Sequence, residues 1–262
     1  MKKIPCSVGI LTYNSAATLR RALESVRDCV DIIVCDGGST DETLLIARAH
    51  GARVMAQDSR FLDEEGRIID YAGVRNQMLR AAREKWFFFL DSDEYLTPEL
   101  AVEIGRVVQG RPRAFWVPRY YTWGGERVMC ATTYPNKQMR LFHKEVAEEF
   151  IRPVHERIEL RPHADVGVLK QYMVVPLDTT PEALWRKWDR YLALGDRVQT
   201  SVSVGSFLRV AIRHLKPSLV YSLRLVRILL FCRGVRLPLW RELAEHRYNS
   251  KVILHLWKQF IS

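Results

Sequence analysis

The sequence predicts an α/β protein with an open, mostly parallel sheet that helices cover on both faces. Over the first hundred residues, short apolar runs alternate with longer stretches that carry apolar side chains at helical spacing. One run, Trp-Phe-Phe-Phe-Leu at 86–90, is apolar at every position, as expected of a strand buried on both faces. Strands that alternate with helices in this way form β-α-β units and pair in parallel.

Each predicted element has its own start and stop signals. The first strand, 7–11, ends at the turn-prone Thr12-Tyr-Asn-Ser15, and a helix with Leu19, Leu23 and Val26 on one face follows it. The second strand, 32–35, ends at Asp36-Gly-Gly-Ser39, and Thr40 is expected to cap a helix that runs to His50. A third strand at 53–55 and a helix at 71–83 precede the strand at 86–90.

Polar residues follow three of these strands directly. In open α/β sheets ligands bind beyond the carboxyl ends of the strands, so the three clusters should meet at one edge. Two carboxylates at i and i+2 can also offer oxygen ligands to a hard divalent cation such as Mg²⁺. Taken alone, an Asp-x-Asp tripeptide is short and common, and a loop that leads into the helix after Thr97 explains it too. The clusters are Thr12-Tyr13-Asn14, Asp36-Gly37-Gly38-Ser39-Thr40 and Asp91-Ser92-Asp93-Glu94.

Two sets of motifs carry a resemblance to a known family. The first set resembles the family 2 glycosyltransferases in order and spacing: Leu11-Thr-Tyr-Asn14, Val34-Cys-Asp-Gly-Gly-Ser-Thr-Asp41, Arg75-Asn76 and Phe89-Leu-Asp-Ser-Asp-Glu94. The second set is similar to the branch that contains bacterial lipopolysaccharide-core glucosyltransferases: Gly124-Gly125, Gln138-Met-Arg-Leu-Phe-His143, Val154-His-Glu156 and Trp185-Arg-Lys-Trp-Asp-Arg-Tyr191. The resemblance implies a GT-A fold, which is Rossmann-like with a mostly parallel central sheet, followed here by a basic helical extension.

The resemblance also implies roles for the polar residues at the sheet edge. It places a nucleotide-sugar pocket at Thr12, Tyr13, Asn14, Asp36, Gly38, Arg75, Asp91 and Ser92. Tyr13 would lie against the base, and Asp36 would accept a hydrogen bond from the uracil or the ribose. Asp93, with Asp91 beside it, would ligate a divalent cation, Mg²⁺ or Mn²⁺, that neutralises charge on the departing nucleoside diphosphate.

An inverting transfer needs a base that deprotonates the acceptor hydroxyl. Glu156 is the candidate, because it is a carboxylate on the predicted acceptor side and follows His155. An ion pair of Glu156 with Arg152 or Arg157 at the surface is the competing interpretation. His143 and Cys130 have no partner at a spacing that indicates nucleophilic chemistry, so a packed histidine and an inert thiol are expected.

Together with these residues, the resemblance implies a metal-dependent, inverting transferase that moves one sugar from a nucleoside-diphosphate donor, expected to be a UDP-sugar, to a lipopolysaccharide-core or other lipid-linked surface glycan. The Q-x-x-R-W signature of processive synthases is absent, which favours single transfer. A sugar nucleotidyltransferase is the nearest alternative, but it would usually carry a glycine-rich basic loop where Thr12-Tyr-Asn-Ser15 stands. A nucleic-acid-binding protein is the alternative from another class, and no helix-turn-helix or zinc module supports it.

Charge is distributed unevenly along the chain. Residues 181–262 hold 15 of the 40 lysines and arginines but 5 of the 30 acidic residues, so the whole +10 net charge falls there. Between 206 and 233 the basic residues alternate with leucine, valine and isoleucine, and Pro217 is expected to kink or split the helix. A basic amphipathic segment of this kind is suited to an anionic membrane surface, although a helix packed on the catalytic domain with solvated arginines would also fit.

Domain boundaries and compartment are the last expectations. A catalytic domain is expected at 1–180, with a nucleotide-sugar half at 1–112 and an acceptor half at 113–180, followed by the basic helical region at 181–262. Five cysteines without a C-x-x-C pair indicate neither a zinc site nor a disulfide framework, which favours a reduced compartment. With no signal peptide and no long uncharged apolar stretch, the prediction is a cytoplasmic protein, peripheral on the inner face of the cytoplasmic membrane.

Overall fold

The computed structural model describes residues 3–177, 179–196 and 204–261. The chain divides into two compact units, which are described one at a time. Unit 1 comprises Met1–Tyr120 and Pro135–Pro176, and unit 2 comprises Tyr121–Tyr134 and Leu177–Ser262. The strands are β1 Ile4–Thr12, β2 Cys29–Asp36, β3 Arg53–Ala56, β4 Trp86–Asp91, β5 Tyr95–Leu96, β6 Ala114–Trp123, β7 Glu126–Arg127, β8 Asn136–His143, β9 Ala147–Ile151, β10 Arg157–Leu160, β11 Val166–Val168 and β12 Met173–Pro176. The helices are α1 Ala16–Ser25, α2 Thr43–Ala49, α3 Tyr71–Ala81, α4 Pro98–Val107, α5 Pro181–Asp196, α6 Val204–Phe231, α7 Leu239–Glu242 and α8 Ala244–Ile261.

The predicted fold class is confirmed. In unit 1 the strands lie in the order β3-β2-β1-β4-β8-β6, and β1 pairs in parallel with both β2 and β4. β2 pairs in parallel with β3, whereas β8 runs antiparallel to β4 and to β6. The sheet is therefore parallel across β3, β2, β1 and β4, and mixed among the strands that follow α4.

Strand β4 lies at the centre of this sheet, as its composition predicts. Trp86, Phe88 and Leu90 point into a core formed with residues of α1 and α4, whereas Phe87 and Phe89 point into a second core formed with residues of α3. All five side chains are buried. Burial of alternate residues on opposite faces explains why the run is apolar throughout.

The structure corrects three local expectations: the start of α2, a split of the helix at Pro217, and the state of the cysteines. Helix α2 begins at Thr43 with Glu42 as its N-cap, not at Thr40, because Asp41 accepts hydrogen bonds from the backbone N–H and hydroxyl of Thr43 and fixes the turn before it. Helix α6 is continuous from Val204 to Phe231, so Pro217 does not split it. Of the five cysteines, Cys130 and Cys232 form a disulfide across 102 positions, contrary to the expectation of reduced thiols, whereas Cys6, Cys29 and Cys35 are free and buried.

Unit 2 contains the C-terminal helices and the segment 121–134. Helix α6 packs against α8, where the ring of His214 is 2.7 Å from Asn249 Oδ1 and the Asn249 amide donates to Ser218 Oγ at 2.9 Å. The disulfide links the segment 128–134 to Cys232, directly after the end of α6. Thr132 also donates from its hydroxyl and its backbone N–H to Glu242. None of the helices that the structure describes is long and apolar enough to cross a membrane.

Candidate active site

The carboxyl ends of β1, β2 and β4 meet at one edge, as predicted. Thr12 is paired in register with Asp36, and Leu11 with Asp91. The Thr12 hydroxyl donates to Asp36 Oδ1 at 2.7 Å, so the ends of the first two strands are linked directly. The sheet register thus brings together the three polar clusters that are far apart in the sequence.

Asp36 organises the loop that follows β2. Its Oδ2 accepts hydrogen bonds from the backbone N–H groups of Gly38 and Ser39, and its Oδ1 accepts from the Ser39 hydroxyl as well as from Thr12. Gly38 has a φ of 88°, a left-handed conformation that favours glycine. The buried Asp36 carboxylate therefore accepts four hydrogen bonds, three from its own loop and one from Thr12 of β1.

The loop after β1 is joined to the same structure. Asn14, at a φ of 47°, accepts at Oδ1 from the Thr40 backbone N–H and donates its own backbone N–H to Ser39 Oγ. Tyr13, next to it, is exposed, and Ser92 donates from its hydroxyl to Ser15 Oγ at 3.1 Å. An open aromatic side chain thus lies beside a loop that hydrogen bonds hold in place.

Asp91 is held by two buried arginines from different elements. Arg75 of α3 donates from Nη2 to Asp91 Oδ1, and Arg140 of β8 donates from Nη2 to Asp91 Oδ2, both at 2.9 Å. Burial alone would raise the pKa of Asp91, but the two guanidinium groups lower it well below its ordinary value. Both guanidinium carbons also lie about 4.5 Å from the centre of the Phe89 ring, within cation–π distance.

Glu156 belongs to the same network. Arg75 donates from Nε to Glu156 Oε1 at 2.6 Å, so one guanidinium connects the candidate base to the Asp91 carboxylate. Neither Arg152 nor Arg157, the surface partners considered from the sequence, forms an ion pair with Glu156 within the described residues. Arg75, which the resemblance assigns to the nucleotide-sugar pocket, is 5% exposed and turned toward these two carboxylates.

Glu94 occupies the far side of this cluster. Arg119 donates to it from Nη1 at 3.1 Å, and Arg140 Nη2 lies 2.8 Å from its Oε2. Burial raises the pKa of Glu94 to about 7, against the lowering effect of Arg140 and Arg119. Arg119 and Arg140 were not singled out from the sequence. An arginine between Met139 and Leu141 in an apolar strand was the available signal, because such a side chain needs a buried acid.

The two carboxylates of the Asp-Ser-Asp turn differ in their surroundings. Asp93 is exposed, whereas Asp91 is 36% exposed at its side chain with each oxygen already accepting from an arginine. Within the described ranges no group of three or more His, Cys, Asp or Glu residues could hold a metal by itself. This donor set fits a Mg²⁺ or Mn²⁺ ion that takes one or two carboxylates and completes its shell with substrate phosphates and water.

The remaining sequence candidates are structural. His143 is buried and packs edge-on against Trp86 at 5.2 Å, and burial lowers its pKa, as expected of a packed histidine. Cys130 is one half of the disulfide with Cys232. Neither residue joins the cluster at the edge of the sheet.

Residues 7–158 match the model of a protein family, glycosyl transferase family 2. The chain belongs to that family, which confirms the resemblance drawn from its motifs. The match runs from within β1 into β10, so it includes every residue of the cluster around Asp91.

Curated relatives cover only parts of this chain and of themselves. A TPR repeat-containing protein of Synechococcus elongatus is 34% identical over 155 residues, which are 58% of this chain and 35% of that protein. An uncharacterized glycosyltransferase of Rickettsia typhi is 31% identical over 152 residues, 56% of this chain and 48% of that protein. The lipopolysaccharide core biosynthesis glycosyltransferase LpsC of Rhizobium meliloti is 33% identical over 98 residues, 37% of this chain and 35% of that protein. The chain thus spans half or less of each of these relatives.

Proposed function

We propose that this protein transfers a single sugar, with inversion, from a nucleoside-diphosphate sugar to a bacterial lipopolysaccharide-core or other lipid-linked surface glycan. The observation that carries the proposal is the convergence of Thr12, Asp36 and the Asp91–Glu94 turn at one sheet edge, with Glu156 joined to that turn through Arg75. Family membership supports sugar transfer, and the similarity to LpsC supports a lipopolysaccharide-core acceptor.

The donor is expected to lie along the loops after β1 and β2. The exposed Tyr13 ring offers a stacking surface for a base such as uracil, and Asn14 and Gly38 shape the backbone beside it. Asp93, the more exposed of the two carboxylates in the Asp-Ser-Asp turn, is the proposed cation ligand, with Asp91 beside it. When bound, a divalent cation would stabilise the negative charge of the departing nucleoside diphosphate.

Glu156 is the proposed base toward the acceptor. The hydrogen bond from Arg75 Nε to its Oε1 holds the carboxylate in one orientation and leaves Oε2 as the oxygen available to an acceptor hydroxyl. Arg75 is itself held by Asp91, so the orientation of Glu156 depends on the same turn that carries Asp93. Hydrogen bonds through Arg75 thus connect Glu156 to the turn that contains Asp93, which supports the proposal that the two residues act together.

The acceptor would be met at the inner face of the cytoplasmic membrane, with residues 206–233 as the region of contact. The excess of basic residues in the C-terminal region supports an anionic lipid partner. One observation points away from the cytoplasm, because disulfides such as Cys130–Cys232 persist mainly in oxidising compartments. Alkylation of thiols in intact cells, before lysis, measures whether this pair is oxidised where the protein works.

The test is a transfer assay with purified protein, a panel of nucleotide sugars and extracted lipopolysaccharide core, with Mg²⁺ or Mn²⁺ present. Asp93→Asn is expected to lower transfer by at least about 100-fold and to weaken Mn²⁺ binding in the presence of UDP, measured by calorimetry. Glu156→Gln is expected to lower transfer by about 100-fold or more while UDP and Mn²⁺ still bind.

Asp28→Asn is the matched control, because Asp28 lies where β2 begins, at the opposite edge of the sheet. It should leave transfer and Mn²⁺ binding unchanged. Full metal-dependent transfer by the Asp93 variant would show that the cation site is elsewhere. Unchanged transfer by the Glu156 variant would remove that residue as the base.

A further inference from the structure

Helix α6 presents three different surfaces along its length. Ala211 and Ile228 are buried, and His214, Ser218 and Tyr221, which lie on the same side, face α8. At 100° per residue these positions form one row, as in any pair of packed helices. The sides of α6 that face away from α8 therefore remain to be explained.

A row of seven large apolar side chains lies beside the buried row. Their spacing of three and four residues keeps them on one side of the helix. Each of them is between 52% and 69% exposed, and the row extends for about 33 Å. Soluble protein surfaces seldom expose so long a continuous apolar strip without a partner. The row, called here the apolar row, consists of Leu208, Ile212, Leu215, Leu219, Leu223, Val226 and Leu230.

A row of cations borders the apolar row. Arg209, Arg213 and Lys216 follow one another at helical spacing, and Arg227 continues the same line three turns later. All four are exposed. The helix contains no acidic residue, and Arg224, its remaining cation, instead donates to the Thr132 carbonyl within unit 2.

This pairing of rows selects among possible partners. A second copy of the helix would bring two rows of like charge together, which is unfavourable in close contact. An anionic bilayer satisfies both rows at once, because acyl chains can cover leucines while phosphate groups pair with arginine and lysine. Trp257, half exposed and 5.6 Å from the Phe207 ring, adds an aromatic side chain near the start of the helix.

We infer that α6 lies flat on an anionic membrane, with its apolar row inserted between lipid headgroups and its cationic row paired with their phosphates. Leu225 and Ile228 do not belong to this surface, although the sequence places them among the apolar residues of the same segment, because they face the interior of unit 2. The inference deepens the proposed function, because it identifies the surface of this protein that would contact the membrane in which the proposed acceptor lies. It rests on that function for the acceptor alone, since binding to lipid needs no donor sugar.

The experiment measures binding of the full chain to vesicles of phosphatidylcholine alone and of phosphatidylcholine mixed with phosphatidylglycerol. Leu219→Gln/Leu223→Gln is expected to weaken binding to the mixed vesicles by about 100-fold. Arg213→Gln/Arg227→Gln is expected to weaken it by about 30-fold, and only at low salt. All four side chains are exposed, so the variants should fold, which circular dichroism would verify.

Matched controls come from exposed residues of unit 1. Leu45→Gln/Val102→Gln and Arg48→Gln/Arg106→Gln remove the same side-chain types elsewhere and should leave binding unchanged. Equal losses in the control pairs, or no loss in the α6 pairs, would overturn the inference. The inference would also be overturned if the wild-type chain formed a dimer through Leu219 and Leu223 and did not bind vesicles. Sedimentation would detect such a dimer. Asp93→Asn should bind vesicles normally, so a failure of the proposed chemistry would not resemble a failure of docking.

Discussion

At the scale of single residues, the cluster around Asp91 couples stability to the site. Arg140 is 2% exposed and has Asp91 and Glu94 as its acidic partners. A buried charge of this kind is tolerated because carboxylates pair with it, and one of them, Glu94, is buried as well. Removal of Arg140 would leave two carboxylates with fewer cations around them, at the turn that carries Asp93.

Arg140→Met is therefore expected to lower the free energy of unfolding by about 3–5 kcal/mol, the usual loss when one partner of a buried ion pair is removed. Arg111→Met is the comparison, since Arg111 is largely exposed in its pair with Asp165. That exposed pair should contribute less than about 1 kcal/mol. Urea denaturation of the two variants measures the difference, and equal losses would contradict the importance of burial.

The sequence predicts which residues lie at this site better than it predicts the hydrogen bonds and ion pairs between them. Thr12, Asp36 and Asp91 could be placed at one edge because parallel strands end together, a rule that depends only on strand order. The hydrogen bond between Arg75 and Glu156 joins residues 81 positions apart, and it depends on the packing of α3 against the turn before β10. Nothing local in either segment indicates that contact. The same holds for Arg140, since its acidic partners lie at the end of β4 and in the turn after it, 49 and 46 positions away in the sequence.

At the scale of elements, helix α3 aligns two parts of the site. Asp70 caps it, accepting a hydrogen bond from the Gly73 backbone N–H at 2.9 Å. Arg75 reaches Asp91 from this helix, and Asn76 pairs through both of its amide atoms with the main chain of Phe150 in β9. Loosening of the first turn of α3 would therefore disturb both the Asp91 cluster and the strand pair β9–β10.

Asp70→Ala is expected to destabilise unit 1 by about 1 kcal/mol through loss of this cap. Hydrogen exchange of the α3 amides, monitored with urea denaturation, should show faster opening of the first turn. Glu42→Ala is the matched variant, because Glu42 is the N-cap of α2 but makes no side-chain capping bond. A comparable effect of both substitutions would mean that the Asp70 hydrogen bond does not stabilise α3.

The same scale shows where patterns failed. Helix α2 begins two residues later than a cap at Thr40 predicts, because Asp41 accepts hydrogen bonds from Thr43 and fixes the turn before the helix. In α6 the loss of one backbone hydrogen bond at Pro217 does not end the helix, since side-chain packing against α8 extends along both sides of it. Propensity rules describe isolated segments, and here a neighbouring helix outweighed them.

At the scale of the whole molecule, the disulfide is the longest covalent constraint. A cross-link that closes a loop of this length stabilises mainly by restricting the unfolded chain. Cys130→Ala/Cys232→Ala is therefore expected to lower the stability of unit 2 by about 2–5 kcal/mol. Tryptophan fluorescence during urea denaturation reports on it, because Trp123, Trp185, Trp188 and Trp240 all lie in this unit.

A reductant supplies the control for that measurement. It should destabilise the wild-type protein to the level of the double variant and have no effect on the variant itself, because the three remaining cysteines are already thiols. A wild-type chain that is indifferent to reductant would show that the bridge does not contribute to stability.

The bridge also gives the molecule a mechanical property. It turns the chain between Cys130 and Cys232 into a closed ring, and this ring includes β8 to β12 as well as α5 and α6. A force applied to the two ends of the protein would pull on the segments outside the ring and pass through the sulfur atoms. In an optical trap, about 36 nm of polypeptide would not contribute to the measured extension on unfolding until a reductant opened the ring, because 102 residues separate the two cysteines.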